Sequence, residues 1–203
     1  TICNLYFDTP DYLLIRRSIE GKVYKEKIRL RTYGRAQHDS EAFIELKKKL
    51  KDGTFTIDFC DDSLHTNGNL SICGGTYTLS TGDDGMHADG ADQVYGGEIT
   101  IKTCYEGIEG QNMESSGGTI DITASDNGNG ALDYNGTATI TGGTLVAAGM
   151  SGMEQNFGSD STQSSLMMNL TDNQSGKITL EDANGNTLVS YTPVREYNSV
   201  VIS

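Results

Sequence analysis

The sequence has no apolar run approaching the roughly 18 residues that a membrane-spanning helix needs, and no basic-then-apolar leader opens it. Its four cysteines show no metal-ligand or redox spacing, so a zinc or thiol-redox motif is excluded. Positive charge is also scarce, and a net charge of −13 argues against a nucleic-acid partner. The chain begins with Thr1 rather than Met, so we expect an interior fragment whose start does not reveal the compartment of the parent protein.

Tryptophan is absent and only two prolines occur, whereas glycine occurs 25 times. This composition, with many Thr, Ser, Asn and Asp residues after position 52, is typical of a chain that turns often and regularly. The charge is divided unevenly, because residues 1–51 carry 12 basic and 7 acidic side chains, whereas residues 52–203 carry 3 and 21. The division predicts two unrelated segments, residues 1–52 and residues 53–203.

A repeat of about 22 residues runs through the acidic segment. The run Asp61–Gly68 aligns without a gap on Asp83–Gly90, and a related run follows at Tyr105–Gly110. Short alternating strands fill the intervals and predict two inward columns, of which one is Phe55, Tyr77, Ile99, Ile120 and Leu145 and the other is Ile57, Leu79, Ile101, Ile122 and Ala147. A further apolar column consists of Leu64, Met86, Ile108 and Leu132.

Units of this kind bury their apolar faces by stacking coaxially. The sequence therefore predicts a mainly β fold, a short right-handed parallel β-helix with about 22 residues per rung over residues 53–150. We expect a C-terminal β extension of the same domain at 151–203, containing a hairpin, and a small α+β fragment at 1–52. An antiparallel sandwich also uses short strands and Gly turns, but it has no reason to keep side-chain identity in phase.

The acidic turns of this repeat predict a cation site. Equivalent residues on neighbouring rungs lie about 4.8 Å apart, so stacked carboxylates need a cation or raised pKa values. Calcium suits such a set because it takes six to eight oxygen ligands in flexible geometry. The predicted ligands are Asp61, Asp62, Asp83, Asp84, Asp89 and Glu106. Alternatively, these acids are solvated corner residues that assist turn formation. His65 and His87 stand in register too, and with the carboxylates they indicate either a transition-metal site or polar lining.

The run from Asp61 to Thr76, followed by Gly-Asp-Asp-Gly-Met-His-Ala-Asp-Gly and Tyr-Glu-Gly-Ile-Glu-Gly, resembles the bacterial carbohydrate-binding β-helix family over residues 53–203. The resemblance implies a surface or secreted protein that binds cellulose or pectic polymers such as polygalacturonate and uses calcium. Candidate carbohydrate contacts are His65, His87, Tyr105 and Tyr134. The series of Asp-Asp-Gly turns breaks down at Asp126-Asn127-Gly128, which predicts a shortened binding face.

The acidic segment has few basic residues that could serve as a catalytic base. Parallel β-helix lyases combine calcium with a Lys or Arg that abstracts a proton beside the uronate carboxylate. The acidic segment contains only Lys102, Lys177 and Arg195, and alternation places Lys102 on the outer face without a basic partner. We therefore expect a binding module rather than an enzyme.

The basic segment predicts a strand at residues 5–8, a helix at Asp11–Ile19 with Thr9 as N-cap, and strands at Tyr24–Tyr33 and Phe43–Lys49. Four cations alternate on one face of the second strand, an arrangement suited to a chain of phosphates. The strings Tyr-Lys-Glu-Lys-Ile-Arg-Leu-Arg and Phe-Ile-Glu-Leu-Lys-Lys-Lys resemble the VTC polyphosphate polymerase domain of the triphosphate tunnel superfamily.

That resemblance implies polyphosphate or nucleotide contacts at Lys27, Arg29, Arg31, Glu45 and Lys47, and by itself suggests a cytoplasmic protein. It covers only residues 2 to about 51, and three strands cannot close an eight-stranded tunnel. We therefore expect a truncated fragment without polymerase activity, whether it is a remnant, the product of joining two coding regions, or a rearranged fusion.

Overall fold

The computed structural model describes residues 2–19, 25–33, 43–49, 53–125 and 128–203. The chain forms two compact units, Thr1–Gly53 and Thr54–Ser203. The predicted switch at Lys51-Asp52 lies outside the described residues, and so do Asp126 and Asn127 of the predicted break in the turn series. Among the described residues, no helix combines the length and hydropathy that a membrane crossing requires.

The described residues of the N-terminal unit form a three-stranded antiparallel sheet in the order β1-β2-β3 and a helix. Its elements are β1 (Ile2–Phe7), α1 (Leu13–Ile19), β2 (Lys25–Tyr33) and β3 (Phe43–Lys49).

The helix begins two residues later than predicted, because Tyr12 has a φ of 57°, which interrupts a right-handed helix. Thr9 does cap it, since its Oγ1 accepts a hydrogen bond of 2.9 Å from the Leu13 amide. Asp8 adds a second cap by accepting from the amides of Leu14 and Ile15.

The second unit is a β-solenoid of about four turns with a spacing of about 22 residues, as the repeat predicts. Its rungs run through β4 (Thr54–Cys60), β5 (Leu64–Thr66), β6 (Leu70–Thr81), β7 (Met86–Thr103), β8 (Ile108–Thr123), β9 (Leu132–Tyr134) and β10 (Ala138–Gly149). Neighbouring rungs pair in parallel.

The predicted apolar columns are the core of the solenoid. Tyr77 pairs with Ile99, Ile99 with Ile120, and Ile120 with Leu145 in successive rungs. The column through Leu79, Ile101 and Ile122 is fully buried. The register of Leu64, Met86, Ile108 and Leu132 is also confirmed. This agreement follows from the alternation of side chains along each strand, which fixes the inward face.

One glycine in each rung turns the chain at the same corner. Gly75, Gly97, Gly118 and Gly143 have φ values of 105°, 109°, 86° and 92°, a region that side chains other than glycine rarely adopt. A Cβ atom on Gly118 would lie 2.7 Å from the carbonyl oxygen of Gly97 in the rung below. The corner therefore requires glycine both for its backbone conformation and for its close approach to the next rung.

We expect Gly118→Ala to lower the free energy of unfolding by about 1 to 3 kcal/mol, the usual range for a residue held in a disfavoured backbone region. Urea denaturation followed by circular dichroism measures it. Gly68→Ala is the matched control, because the nearest atom to its added Cβ is 4.0 Å away. Equal stability of the two variants would contradict the corner argument.

The C-terminal strands cover the last rung. They are β11 (Leu166–Gln174), β12 (Ile178–Glu181), β13 (Thr187–Tyr191) and β14 (Tyr197–Ile202). Strand β14 pairs antiparallel with β10 and with β11, and β12 forms the predicted hairpin with β13. A second core results on the outer face of β10, where Val146 and Ala148 pack against Ile178, Tyr197, Val200 and Ile202.

Candidate metal and carbohydrate site

Three carboxylates form a continuous ladder on successive turns. The amide of Asp84 donates to Asp62 Oδ1 at 3.2 Å, and the amide of Glu106 donates to Asp84 Oδ1 at 3.3 Å. Asp62 and Asp84 thus each accept from the amide of the acid on the next turn, which fixes the spacing of the stack. We call Asp62, Asp84 and Glu106 the acidic ladder.

A second column runs beside the acidic ladder on the outer face. Strand pairing places His65 next to His87, His87 next to Glu109, and Glu109 next to Asp133. The two imidazole rings lie 4.6 Å apart. We call these four residues the histidine column. Each of its first three members follows a member of the acidic ladder by three positions in sequence, so the two columns face each other.

Contacts between the two columns converge on His87. Its Nδ1 atom lies 3.2 Å from Glu109 Oε2, 3.4 Å from Asp84 Oδ2 and 3.6 Å from Asp62 Oδ2. His65 Nδ1 is closer still to Asp62 Oδ2, at 2.5 Å. His87 Nε2 is 3.7 Å from Asp89 Oδ1. Imidazole nitrogen atoms and carboxylate oxygens therefore share one small volume.

The negative charges of the site raise the pKa values of its carboxyl groups. Burial raises the pKa of Asp84 to about 9, helped by a hydrogen bond with Glu109 and by the charges of Glu109 and Glu106. Burial and the charges of Asp133 and Glu109 raise the pKa of Glu106 to about 7. Burial raises the pKa of Asp83 as well, and the charges of Asp62, Asp61 and Glu109 raise it further. The ladder accordingly favours a bound cation or protons at neutral pH.

The predicted metal ligands are only partly brought together. Oxygens of Asp62, Asp83 and Asp84 lie within 4.8 Å of one another, a spacing that two oxygens bound to one Ca²⁺ at 2.3–2.6 Å can have. Asp61, Asp89 and Glu106 belong to no such three-residue group among the described residues. Asp61 meets Asp83 through its carbonyl oxygen, Asp89 accepts from Asn67, and Glu106 accepts from Asn129.

Glu109 is the ligand candidate that sequence reasoning missed. It lies within 4.8 Å of Asp84 and His87 in one of the close groups. The signal was present, because Glu109 stands one repeat of 22 residues after His87 and two after His65. It was overlooked because a carboxylate replaces the imidazole at that position.

The predicted carbohydrate contacts differ in their exposure. Tyr105 is 42% exposed, and its amide donates to the Asp83 carbonyl at 2.8 Å, so its backbone lies beside that acidic turn. Tyr134 is half-buried against the core, and its hydroxyl donates to the Asn156 carbonyl at 2.6 Å. His65 is exposed and His87 is half-buried. The structure therefore favours Tyr105 over Tyr134 as a stacking surface.

A separate carboxylate is buried inside the solenoid. Asp92 is 1% exposed and occupies an inward position between Leu70 and Met113 of the neighbouring rungs. Neither of its carboxylate oxygens has a hydrogen-bond partner among the described residues. Burial, together with the charge of Glu109, raises the pKa of Asp92 to about 7.

The basic residues of the N-terminal unit pair across two strands. Lys27 stands opposite Lys47, Arg29 opposite Glu45, and Arg31 opposite Phe43. The side chains of the predicted phosphate contacts, Lys27, Arg29, Arg31, Glu45 and Lys47, lie outside the described part of the chain. Their role in phosphate binding stays a prediction.

Comparison with known proteins gives one family for each segment. Residues 49–154 match a family described as "Carbohydrate-binding domain-containing protein", and residues 1–59 match the VTC domain. No curated protein and no solved structure matches the chain. Both segments named from the sequence motifs are confirmed.

Proposed function

Because this chain belongs to the family of carbohydrate-binding domain-containing proteins, we propose that its solenoid binds polysaccharide through calcium and performs no catalysis. The convergence of Asp62, Asp83 and Asp84 within 4.8 Å carries the proposal. An all-oxygen set of carboxylates is the donor chemistry that Ca²⁺ prefers. The backbone of the exposed Tyr105 is hydrogen-bonded to that of Asp83, so an aromatic residue stands on the rung next to this group of acids.

A pectic polymer is the first candidate ligand. The acidic segment carries 21 acidic and 3 basic side chains, so it repels a polyuronate unless a cation bridges the two carboxylate sets. Calcium bound by Asp62, Asp83 and Asp84 supplies that bridge. A cellulosic ligand is the second candidate, since a neutral glucan stacks on an aromatic ring and needs no bridging ion. The two ligands therefore differ in their expected dependence on calcium.

The surface of a bacterial cell suits this mode of binding. Extracellular calcium modules work with dissociation constants of roughly 10⁻⁴ to 10⁻³ M. A partly solvated set of carboxylates such as Asp62 and Asp83 fits that weak class better than a closed cage does. We accordingly propose an extracellular or surface location.

The basic residues support binding without catalysis. Lys102 is exposed on strand β7, one residue beyond the buried Ile101, and so points away from the core. Proton abstraction beside a uronate carboxylate needs a base within hydrogen-bond reach of the bound sugar. A single outward lysine on that rung does not by itself supply such an arrangement.

We expect isothermal titration to show saturable calcium binding, followed by polygalacturonate binding that EDTA abolishes. Asp62→Asn removes an oxygen of the close carboxylate group and should weaken calcium affinity about tenfold, equivalent to about 1.4 kcal/mol. Asp172→Asn removes the same charge from an exposed position on strand β11 and should leave it unchanged.

The outcomes separate the two ligands. Binding of a cello-oligosaccharide in EDTA, with no response to polygalacturonate, would replace the pectic assignment by the cellulosic one. Absence of heat with calcium and with both polymers would remove the proposed function.

A further inference from the structure

Two imidazoles stand in a cluster whose other donors are oxygens, and calcium does not explain them. Calcium takes oxygen ligands, whereas imidazole nitrogen suits Zn²⁺, Co²⁺, Ni²⁺ and Cu²⁺. From this juxtaposition we propose that Asp84, His87 and Glu109 bind a divalent transition-metal ion whose fourth position is open to water. The site goes beyond the proposed calcium-dependent function, although both use Asp84.

The distances fit a small four-coordinate ion. When metal–ligand bonds are about 2.0–2.1 Å long, two ligand atoms of a tetrahedral site lie about 3.3 Å apart. The nitrogen of His87 lies 3.2 Å from Glu109 Oε2 and 3.4 Å from Asp84 Oδ2. Asp62 Oδ2, at 3.6 Å, is near the same spacing. The oxygens of Asp84 and Glu109 therefore lie from this nitrogen at the edge length that a tetrahedral ion needs.

Direct hydrogen bonding explains the same contacts less well. A charged N–H···O⁻ bond is about 2.7–2.9 Å long, and one Nδ1–H group cannot point at three oxygens at once. The three distances from His87 Nδ1 all exceed that length, the shortest being 3.2 Å. A shared ion between the nitrogen and the oxygens accounts for convergence at this spacing.

Neighbouring groups prepare the site. Asp84 is only 4% exposed, so an ion bound there is shielded from water and its electrostatic attraction is strengthened. His65 Nδ1 contacts Asp62 Oδ2 at 2.5 Å and so fixes that carboxylate 3.6 Å from His87 Nδ1. Further acidic groups beside the cluster among the described residues are Asp83, Asp89, Glu106 and Asp133. Their charge favours a cation as well.

The test uses the full chain with Co²⁺ as probe, because its visible absorption reports the ligand type and geometry. Cys73 is an exposed free thiol, so all variants carry Cys73→Ser to remove sulfur ligation there. We expect a saturable Co²⁺ spectrum of a nitrogen- and oxygen-ligated ion, which Zn²⁺ displaces. His87→Gln and Glu109→Gln should each weaken Co²⁺ affinity at least about tenfold.

Glu114→Gln is the matched control for Glu109→Gln, because Glu114 lies on the same strand and is exposed, with its Oε2 accepting from Gln93. Its Co²⁺ affinity should equal that of the parent. The calcium affinity of Glu114→Gln should also equal that of the parent, whereas His87→Gln should weaken Co²⁺ binding far more than Ca²⁺ binding, since Ca²⁺ takes oxygen ligands.

Absence of a saturable Co²⁺ spectrum would overturn this site while leaving calcium-dependent carbohydrate binding intact. Equal Co²⁺ affinities of His87→Gln and the parent would also overturn it. Co²⁺ binding without any response to polysaccharide would support the metal site and remove only the proposed function.

Discussion

Asp92→Asn is expected to raise the free energy of unfolding by about 3 kcal/mol at pH 8 and to lower it by about 1 kcal/mol at pH 4, where only the cost of the buried amide remains. The native carboxylate is buried in the solenoid without a hydrogen-bond partner, and its pKa is raised to about 7 by burial and by the charge of Glu109. Each pKa unit corresponds to about 1.4 kcal/mol, and the buried amide offsets part of the gain.

The sign follows from the direction of the pKa shift. The folded chain holds the proton of Asp92 more tightly than the unfolded chain, whose pKa is near the ordinary 3.8. Stability from this group is therefore complete below about pH 4 and is lost as the pH rises to about 7. Above that pH the loss stays constant. Asparagine cannot ionise and escapes the loss.

Urea denaturation in EDTA at several pH values measures the difference between Asp92→Asn and the parent chain. Taking the difference removes the contributions of other groups with raised pKa values, such as Glu106. The exposed Asp172→Asn variant should show no pH-dependent difference. A constant effect of Asp92→Asn from pH 4 to pH 8 would show that the carboxylate does not ionise within a buried site.

Regular spacing explains why so much of the solenoid is predictable from sequence. Wherever the step between rungs is 22 residues, as from Leu64 to Met86 to Ile108, the period alone places side chains in register. The same arithmetic places Asp92 over Leu70 and Glu109 over His87. Those two positions were overlooked because their residue types differ from those of their neighbours, although the inward or outward direction is fixed by the strand.

Prediction fails where another element intervenes. The step from Ile108 to Leu132 is 24 residues, and there the recurrence of an apolar residue beside an acidic turn, rather than the fixed period, locates the rung. The outer face of strand β10 carries Val146 and Ala148, and only the return of strand β14 shows what covers them. Similarly, convergence on His87 depends on side-chain rotamers that no repeat specifies.

Calcium should reverse the effect of Asp84→Asn on stability. In EDTA at pH 7 we expect the variant to be more stable than the parent by about 3 kcal/mol. Asp84 is buried beside Glu109, Glu106 and Asp83, and its pKa is raised to about 9. Stability from this group is therefore lost as the pH rises from the ordinary 3.8 through about 9, and an uncharged amide escapes that loss.

Saturating calcium acts in the opposite direction. An ion that binds only the folded chain stabilises it by about 2.7 kcal/mol at a concentration 100 times its dissociation constant. Asp84→Asn loses one carboxylate of the close group with Asp62 and Asp83, so it gains much less from the ion. In saturating calcium, the stability advantage of Asp84→Asn over the parent should shrink to near zero or change sign.

Thermal or urea unfolding of both proteins in EDTA and in excess Ca²⁺ gives this double difference, with the exposed Asp160→Asn as a control that should not respond. If Asp84→Asn changed the stability of the chain equally in both conditions, the stacked charge of the ladder would need no ion. A response only in calcium would instead show that the charges of the ladder are the ligands. Stability can thus report on the cation before any sugar is added.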